Sequence, residues 1–451
     1  MSEPQAARLT LPAQAGITAA QAAEATQAAP AAQGPASSRA HSRRAVIAAA
    51  VGNGLEMYDF TVFSFFAATI GRLFFPTTSP LASLMLSFAT FGAGFVMRPL
   101  GAVLIGHLAD RRGRKAALTL TIGLMTAGTA LIAFAPTYAS IGLAATALVV
   151  LGRLLQGLSA GGEIGAASAL LMESAGKRNR CFLVSWQGAT QGGAALAGAL
   201  TGAAFNALLS PEAMQSWGWR IPFMIGLLIA PVGMYIRRNL QETHEDGAAH
   251  AGLKAVFRQY WREMLLGMLL MTGSTSGMYI TVFYMPTYLI QSLHLPPVTA
   301  FLAACMAGLT MLVMSPLFGM LGDRLQMRKP IIVVAILASL AWCYPNFLLL
   351  TSHATLTSAV LQIGLSVAIM SISGGTGGAM MLEAFPRQYR ATGMSVMYSA
   401  GVTVFGGFAP LIVTGLIAAT GSPMAPAWYL MTASTISLVA LMFFPTHPGR
   451  D

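Results

Sequence analysis

Five charged side chains stand deep inside long apolar runs: Glu56 and Asp59 in one, Arg98 in a second, Arg153 and Glu163 in a third. Charge held in hydrocarbon is expensive, so each is a functional candidate by default. A guanidinium presents a fixed fork of donors that matches a carboxylate bidentately, so Arg98 and Arg153 suit an organic anion in a dry site. Carboxyl groups in the same enclosure can carry protons, because burial penalises their charged form. With all five ionised the set is net negative and repels an anion; protonating one or two acids removes that repulsion. The same residues also fit a purely structural role, since buried Arg–Glu pairs lock helices together, and Pro99 would allow Arg98 to cap a kink.

Spacing adds polar neighbours. Asn53, Glu56 and Asp59 or Phe60 follow steps of three and four, which share a helix face, and Arg153, Gln156 and Glu163 do the same. Counted from the ends of their runs, Asp59 and Arg98 reach similar depths, so one central cavity is expected. The C-terminal half has almost no buried charge and offers hydroxyls, chiefly Ser274, Thr275, Ser276, Tyr279 and Tyr398. These can bind a carboxylate as neutral donors, or simply pack helices. The candidate substrate contacts are therefore Arg98, Arg153, Asn53, Gln156, Gln187, Tyr279 and Tyr398. Candidate proton carriers are Glu56, Asp59 and Glu163.

The elements that position these groups follow from composition. Of 451 residues, 55% are hydrophobic and 9% charged, the latter about a third of the usual fraction. Twelve apolar segments can be placed: about Ala45–Phe74, Leu81–Leu108, Ala116–Ala135, Ser140–Met172, Phe182–Leu209, Trp219–Tyr235, Met264–Ile290, Pro297–Leu321, Pro330–Leu350, Leu356–Leu382, Ala391–Ala419 and Trp428–Phe444. Stretches of this length cross a bilayer as helices, because only helices satisfy their own backbone there. The expected fold is an all-α polytopic membrane protein in the lipid bilayer. It comprises a disordered tail 1–44, a six-helix bundle 45–236, a cytoplasmic linker 237–263, a second bundle 264–445 and a tail 446–451.

Charge placement sets the orientation. All but four of the 26 Lys and Arg residues fall in the tails or in loops after even-numbered segments. Arg72 and Arg220 fall on the other side, and Arg98 and Arg153 lie within segments. Lys and Arg collect on the cytoplasmic side, so both termini are expected there. Orientation thus accounts for the net charge of +11 without nucleic acid.

Two charged knots report a repeat. Gly106 to Lys115 reads GHLADRRGRK, and Gly319 to Lys329 reads GMLGDRLQMRK, each between apolar runs. Glu173 and Arg180 in the first half align with Glu383 and Arg390 in the second, at nearly the same offset as Asp110 and Asp323. Two six-helix halves suggest alternating access around a midplane site.

These paired Gly-x-x-x-Asp-Arg turns resemble the hallmark of the major facilitator superfamily, implying twelve helices in two pseudo-symmetric bundles. Asn53-Gly-Leu-Glu-Met-Tyr-Asp-Phe60, Met97-Arg-Pro-Leu-Gly101, Gly152-Arg-Leu-Leu-Gln-Gly157 and Trp217-Gly-Trp-Arg-Ile-Pro-Phe223 resemble its metabolite–proton symporter subfamily. Within that subfamily, Leu81–Leu100, Ile141–Gly161 and Ser185–Gln187 are most similar to citrate and tricarballylate proton symporters. The resemblance implies import of a small di- or tricarboxylate with protons through a bacterial inner membrane. The alternative is another small metabolite: a dicarboxylate, a shikimate-like acid or a zwitterionic osmolyte. It further implies that Asp110, with Glu173 and Arg180, latches the cytoplasmic side when the outer side is open. The knot residues Gly106, Asp110, Arg111, Arg114, Asp323 and Arg324 are the gating candidates. In the second knot Leu325-Gln326-Met327 replaces the Arg-Gly part, which predicts a weaker latch there.

No nucleophile–base pair or metal-ligand spacing is recognisable, and Cys181, Cys305 and Cys343 form no framework. An enzyme is not expected, nor a cofactor beyond the proton, nor a metal site. The expected unit is a functional monomer.

Overall fold

The structure of the protein is a computed structural model. It describes residues 53–445 apart from 55, 113, 162–167, 169–170, 173, 177, 228–230, 232–252 and 326. Of Asp110 and Arg114 it describes the backbone alone. The expected tails, the linker as far as 252, Glu163 and Glu173 lie outside the described residues.

Every regular element among the described residues is helical. Helix α1 takes residues 56–74, with Asn53 and Gly54 also helical. There follow α2 (Pro80–Arg112), α3 (Arg114–Ala133), α4 (Leu143–Ala160), α5 (Arg180–Leu208) and α6 (residues 220–227). Helix α7 is built from Leu253–Leu270, Thr272–Met278, a π-helical Tyr279–Tyr284 and Met285–Gln291. Then come α8 (Pro297–Leu325), α9 (Arg328–Ser352) and α10 (Leu356–Glu383). Helix α11 joins Arg387–Val402, a π-helical Thr403–Gly407 and Ala409–Thr420, and α12 is Ala425–Phe443. Each of the twelve apolar segments thus meets a helix. Eight helices among the described residues are long and apolar enough to cross a membrane. Helices α9 and α10 keep only 28% and 22% of their apolar windows buried, and turn Val334, Leu337 and Leu361 outward, as lipid requires.

One boundary differs from the sequence reading. Helix α7 begins at Leu253 with a break at Tyr260 (φ −122°, ψ 22°), so the last part of the expected linker is already helical. Its Lys254, Arg258 and Arg262 kept that stretch from reading as apolar.

Proline explains the π turns. In α7, Pro286 stands just after Tyr279–Tyr284, and in α11, Pro410 stands just after Thr403–Gly407. A proline supplies no N–H and its ring crowds the carbonyl four residues back, so the preceding turn widens to a bulge.

Main chains touch where glycines remove the Cβ. Between α2 and α4, a Cβ on Gly101, Gly157 or Gly161 would strike a carbonyl of the partner helix: Leu158 O, Gly94 O and Arg98 O respectively. A Cβ on Gly94 would sit 3.0 Å from Arg153 O. Helices α5 and α8 cross the same way at Gly192 and Gly308. Elsewhere α1 meets α7, with the Ser64 hydroxyl donating to Phe283 O at 3.2 Å. Helix α2 meets α11, with Thr403 donating to Phe95 O at 2.9 Å. Arg220 is held by carbonyls: it donates to Ala135 O at 3.0 Å, just beyond the C-terminus of α3, and to Ser216 O at 2.9 Å. Arg220 thus serves as a helix-end cation.

Candidate functional site

Arg98 on α2 and Arg153 on α4 are 1% and 0% exposed. Stripping water from a guanidinium costs several kcal/mol, and here aromatic rings offset part of it. Arg98 Cζ lies 4.3 Å from the Phe95 ring centre and 4.8 Å from that of Phe60. Arg153 Cζ lies 4.5, 4.4 and 5.0 Å from Phe60, Phe63 and Phe91. Phe60 serves both cations. A ring engages the flat face of a guanidinium and leaves its in-plane N–H groups unused.

Those donors are largely unspent. No nitrogen of Arg98 has a hydrogen-bond partner among the described residues, and neither do Nε and Nη2 of Arg153. Glu56 Oε1 stands 3.6 Å from Arg98 Nη2, close enough to attract and too far for a hydrogen bond. From the other half, Tyr279 packs its ring on Phe91 and Phe95 and feels the charges of Arg98, Glu56 and Arg153. Tyr398 contacts Gln191 and feels Arg98 and Glu56. Tyr279 opens the π turn of α7, and Gly406 in the π turn of α11 lies against Thr275 and Tyr279. Both irregular turns therefore adjoin the charged cluster.

A second polar group lies on the inner side of Arg153. The Arg153 Nη1 donates to Gln156 Oε1 at 2.7 Å. Gln156 Nε2 donates to Thr129 Oγ1 at 2.9 Å. Thr129 donates to Asp59 Oδ2 at 2.5 Å. A Cβ on Gly226 of α6 would sit 2.5 Å from Asp59 Oδ1. Asp59 therefore points among α1, α3, α4 and α6, while Glu56 points toward α2 and the other half. The sequence left Asp59 and Phe60 as alternatives for one face; Phe60 takes the place between the arginines. One residue is about 100° of helix rotation, enough to send the neighbour elsewhere.

The remaining candidates are dispersed. Asn53 joins α1 to α5, donating to Gln187 O at 3.2 Å and Thr190 Oγ1 at 3.0 Å. Gln187 donates to Ser168 Oγ at 2.7 Å. Gln156 has both ends of its amide engaged within the inner group. Thr129 is a member that sequence reasoning missed, since a threonine among Ala, Gly and Leu reads as packing. A cavity of about 140 Å³ lies apart from the charges, among α7, α9, α10 and α12, lined by no charged side chain.

The second knot is built around a helix cap. Asp323, at the end of α8, accepts from Cys181 N at 2.9 Å and Phe182 N at 2.8 Å, capping the first turn of α5. Arg180 donates to Glu383 at 3.2 Å, and Arg328 approaches the same oxygen at 2.7 Å. The cap needs only the carboxylate at a helix N-terminus, and the residues that replace the Arg-Gly part take no part in it. Arg111 and Arg324 are exposed, and Gly106 lies within α2.

A model of the Major Facilitator Superfamily matches residues 49–397. A citrate-proton symporter of Salmonella typhi is 39% identical over 413 residues, covering 90% of this chain and 94% of that protein. One from Klebsiella pneumoniae is 38% identical, covering 88% and 91%. A proline/betaine transporter of Salmonella typhimurium is 32% identical, covering 88% and 82%. Among solved structures, a D-xylose-proton symporter superposes with a TM-score of 0.71 at 17% identity, covering 89% of this chain and 96% of its own.

Proposed function

The chain belongs to the major facilitator superfamily, and from that premise we propose that it imports citrate, or a closely similar tricarboxylate, together with protons by alternating access. The observation that carries this reading is the buried Arg98 guanidinium, whose nitrogens have no hydrogen-bond partner among the described residues. A buried donor left unmatched costs about 1–3 kcal/mol, more when charged, so a multivalent carboxylate that takes up these N–H groups binds with a gain no neutral solute offers. Arg153 supplies the second fork and Phe60 holds both cations in place. The 38–39% identity to two citrate-proton symporters supports the choice of substrate.

Asp59 carries the proton, and Glu56 and Glu163 are the further candidates. Tyr279 and Tyr398, on the half that lacks charge, close over the bound anion. Asn53 and Gln187 tie α1 to α5 at its edge. The residues around Asp323 and Asp110 face the cytoplasm, where both termini lie, and hold that side shut in part of the cycle. The protein works as a monomer in a bacterial inner membrane, with the proton as its sole coupling ion.

The test is uptake into proteoliposomes with an imposed pH gradient, acid outside, using citrate, tricarballylate, succinate, betaine and proline. Citrate or tricarballylate is expected to accumulate and the two zwitterions are not. Accumulation of betaine or proline with no carboxylate uptake would move the protein to the second reading, an osmolyte symporter, which the 32% identical proline/betaine transporter favours.

A further inference from the structure

The inner polar group is a directed chain. Arg153 can only donate, so the oxygen of the Gln156 amide must face it, which turns the Gln156 NH₂ toward Thr129. The Thr129 oxygen therefore accepts from Gln156, and its single proton goes elsewhere. Two acceptors lie in reach of it: Asp59 Oδ2 at 2.5 Å and Met125 O at 3.0 Å, the latter one turn back on α3. One hydroxyl proton cannot serve both.

We propose that Thr129 is a positioning residue for the proton carrier, a hydroxyl with two settings that follow the protonation of Asp59. This rests on the reading of Asp59 as the carrier. When Asp59 is ionised, Thr129 donates to Oδ2. When Asp59 takes a proton from the aqueous phase onto Oδ2, the Thr129 O–H turns to Met125 O, and the second lone pair of Oγ1 accepts the new carboxylic O–H. Gln156 keeps its bond to Thr129 in both settings, and Arg153 keeps its bond to Gln156. No bond within threonine breaks, and the proton stays on Asp59 until it leaves again. A buried acid that changes state normally strands a donor or an acceptor; here the rotation of one hydroxyl prevents it. Among the described residues, the titratable groups around Asp59 are Arg153 from α4 and Tyr58 from α1. Arg98 stands beyond Arg153. Helix α3 and the described part of α6 bring no other titratable group against it.

The experiment measures pH-gradient-driven citrate uptake across external pH, together with citrate exchange between equal pools, for three variants. Thr129→Val keeps the shape and loses the hydroxyl, so the ionised carboxylate loses its donor and the protonated form is favoured. The midpoint of the uptake profile is expected to move to higher pH by about one unit, with exchange retained. Thr129→Ser is expected to restore the wild-type profile. Asp59→Asn is expected to abolish accumulation driven by the pH gradient while exchange continues. If Thr129→Val fails to reach the membrane, Thr129→Ala is read in its place. An unshifted profile for Thr129→Val, with coupling lost in Asp59→Asn, overturns this inference alone. Intact coupling in Asp59→Asn instead overturns the assignment of Asp59, and the role of Thr129 with it.

Discussion

The two halves bring opposite materials to the site they share. The first half supplies the acids Glu56 and Asp59 on α1 and the cations Arg98 and Arg153 on α2 and α4, whose main chains touch through Gly94, Gly101, Gly157 and Gly161. The second half supplies neutral side chains such as Tyr279 and Tyr398, on helices α7 and α11 that each carry a proline-marked π turn beside the site. Charge needs fixed surroundings, because its energy depends steeply on distance in a dry interior. Neutral hydroxyls and rings tolerate displacement. In the proposed division of labour the charged half recognises the anion and the neutral half covers it.

The strongest way to break this contrast is to remove its charge. Arg98→Ala is expected to lower citrate uptake by at least about a hundredfold, since each charge-assisted hydrogen bond is worth about 1.5–3 kcal/mol and the lost fork can make two. The protein should still elute as a single folded species in detergent. Uptake near the wild-type rate would remove Arg98 from the anion site and leave the contrast without its first term.

A smaller effect is expected where the halves meet at the second knot. Asp323→Asn keeps one acceptor and loses the other, along with the negative charge at the start of α5. Cys181, 1% exposed and adjoining that cap, reports the change. With Cys305 and Cys343 replaced by Ser, maleimide labelling of Cys181 is expected to rise about fivefold, following a cap loss of about 1 kcal/mol. Labelling that stays at the parent rate would mean that the cap does not hold the two helices together.

The mildest substitution sharpens the covering role. Tyr279→Phe deletes one neutral hydroxyl and keeps the ring on Phe91 and Phe95. KM for citrate is expected to rise about threefold to tenfold, the worth of one ordinary hydrogen bond, with the maximal rate nearly unchanged. A loss as deep as that of Arg98→Ala would show that the second half recognises the substrate too, and the division would fail.

Much of this was legible beforehand, and for a physical reason. Water and lipid sort side chains so strongly that apolar runs, basic loops and the rare buried charges are visible in one dimension. The repeat of Asp110 and Asp323 was visible on the same ground. What stayed hidden depends on angles of rotation. Asp59 and Phe60 are neighbours in the chain, and only packing decides which one faces the arginines. Thr129 carries no charge and resembles every other small residue of α3, so its link to Asp59 follows only from the placement of α3 against α1. Pro286 and Pro410 were readable as residues, but the wide turns they impose were not. The cap at Asp323 stayed hidden because it uses one carboxylate and two backbone N–H groups of another helix, which the residues of the knot itself do not reveal.

The touching backbones of α2 and α4 have a thermodynamic consequence. A Cβ on Gly94 or Gly161 would meet the carbonyl of Arg153 or of Arg98 itself, so any side chain there would push α2 and α4 apart and change the spacing of the two arginines. If α2 and α4 move as one body in the proposed transport cycle, an anion meets the same pair of forks from either compartment. Net direction has to come from what differs across the bilayer, the proton activity and the voltage, acting on the acids beside those forks.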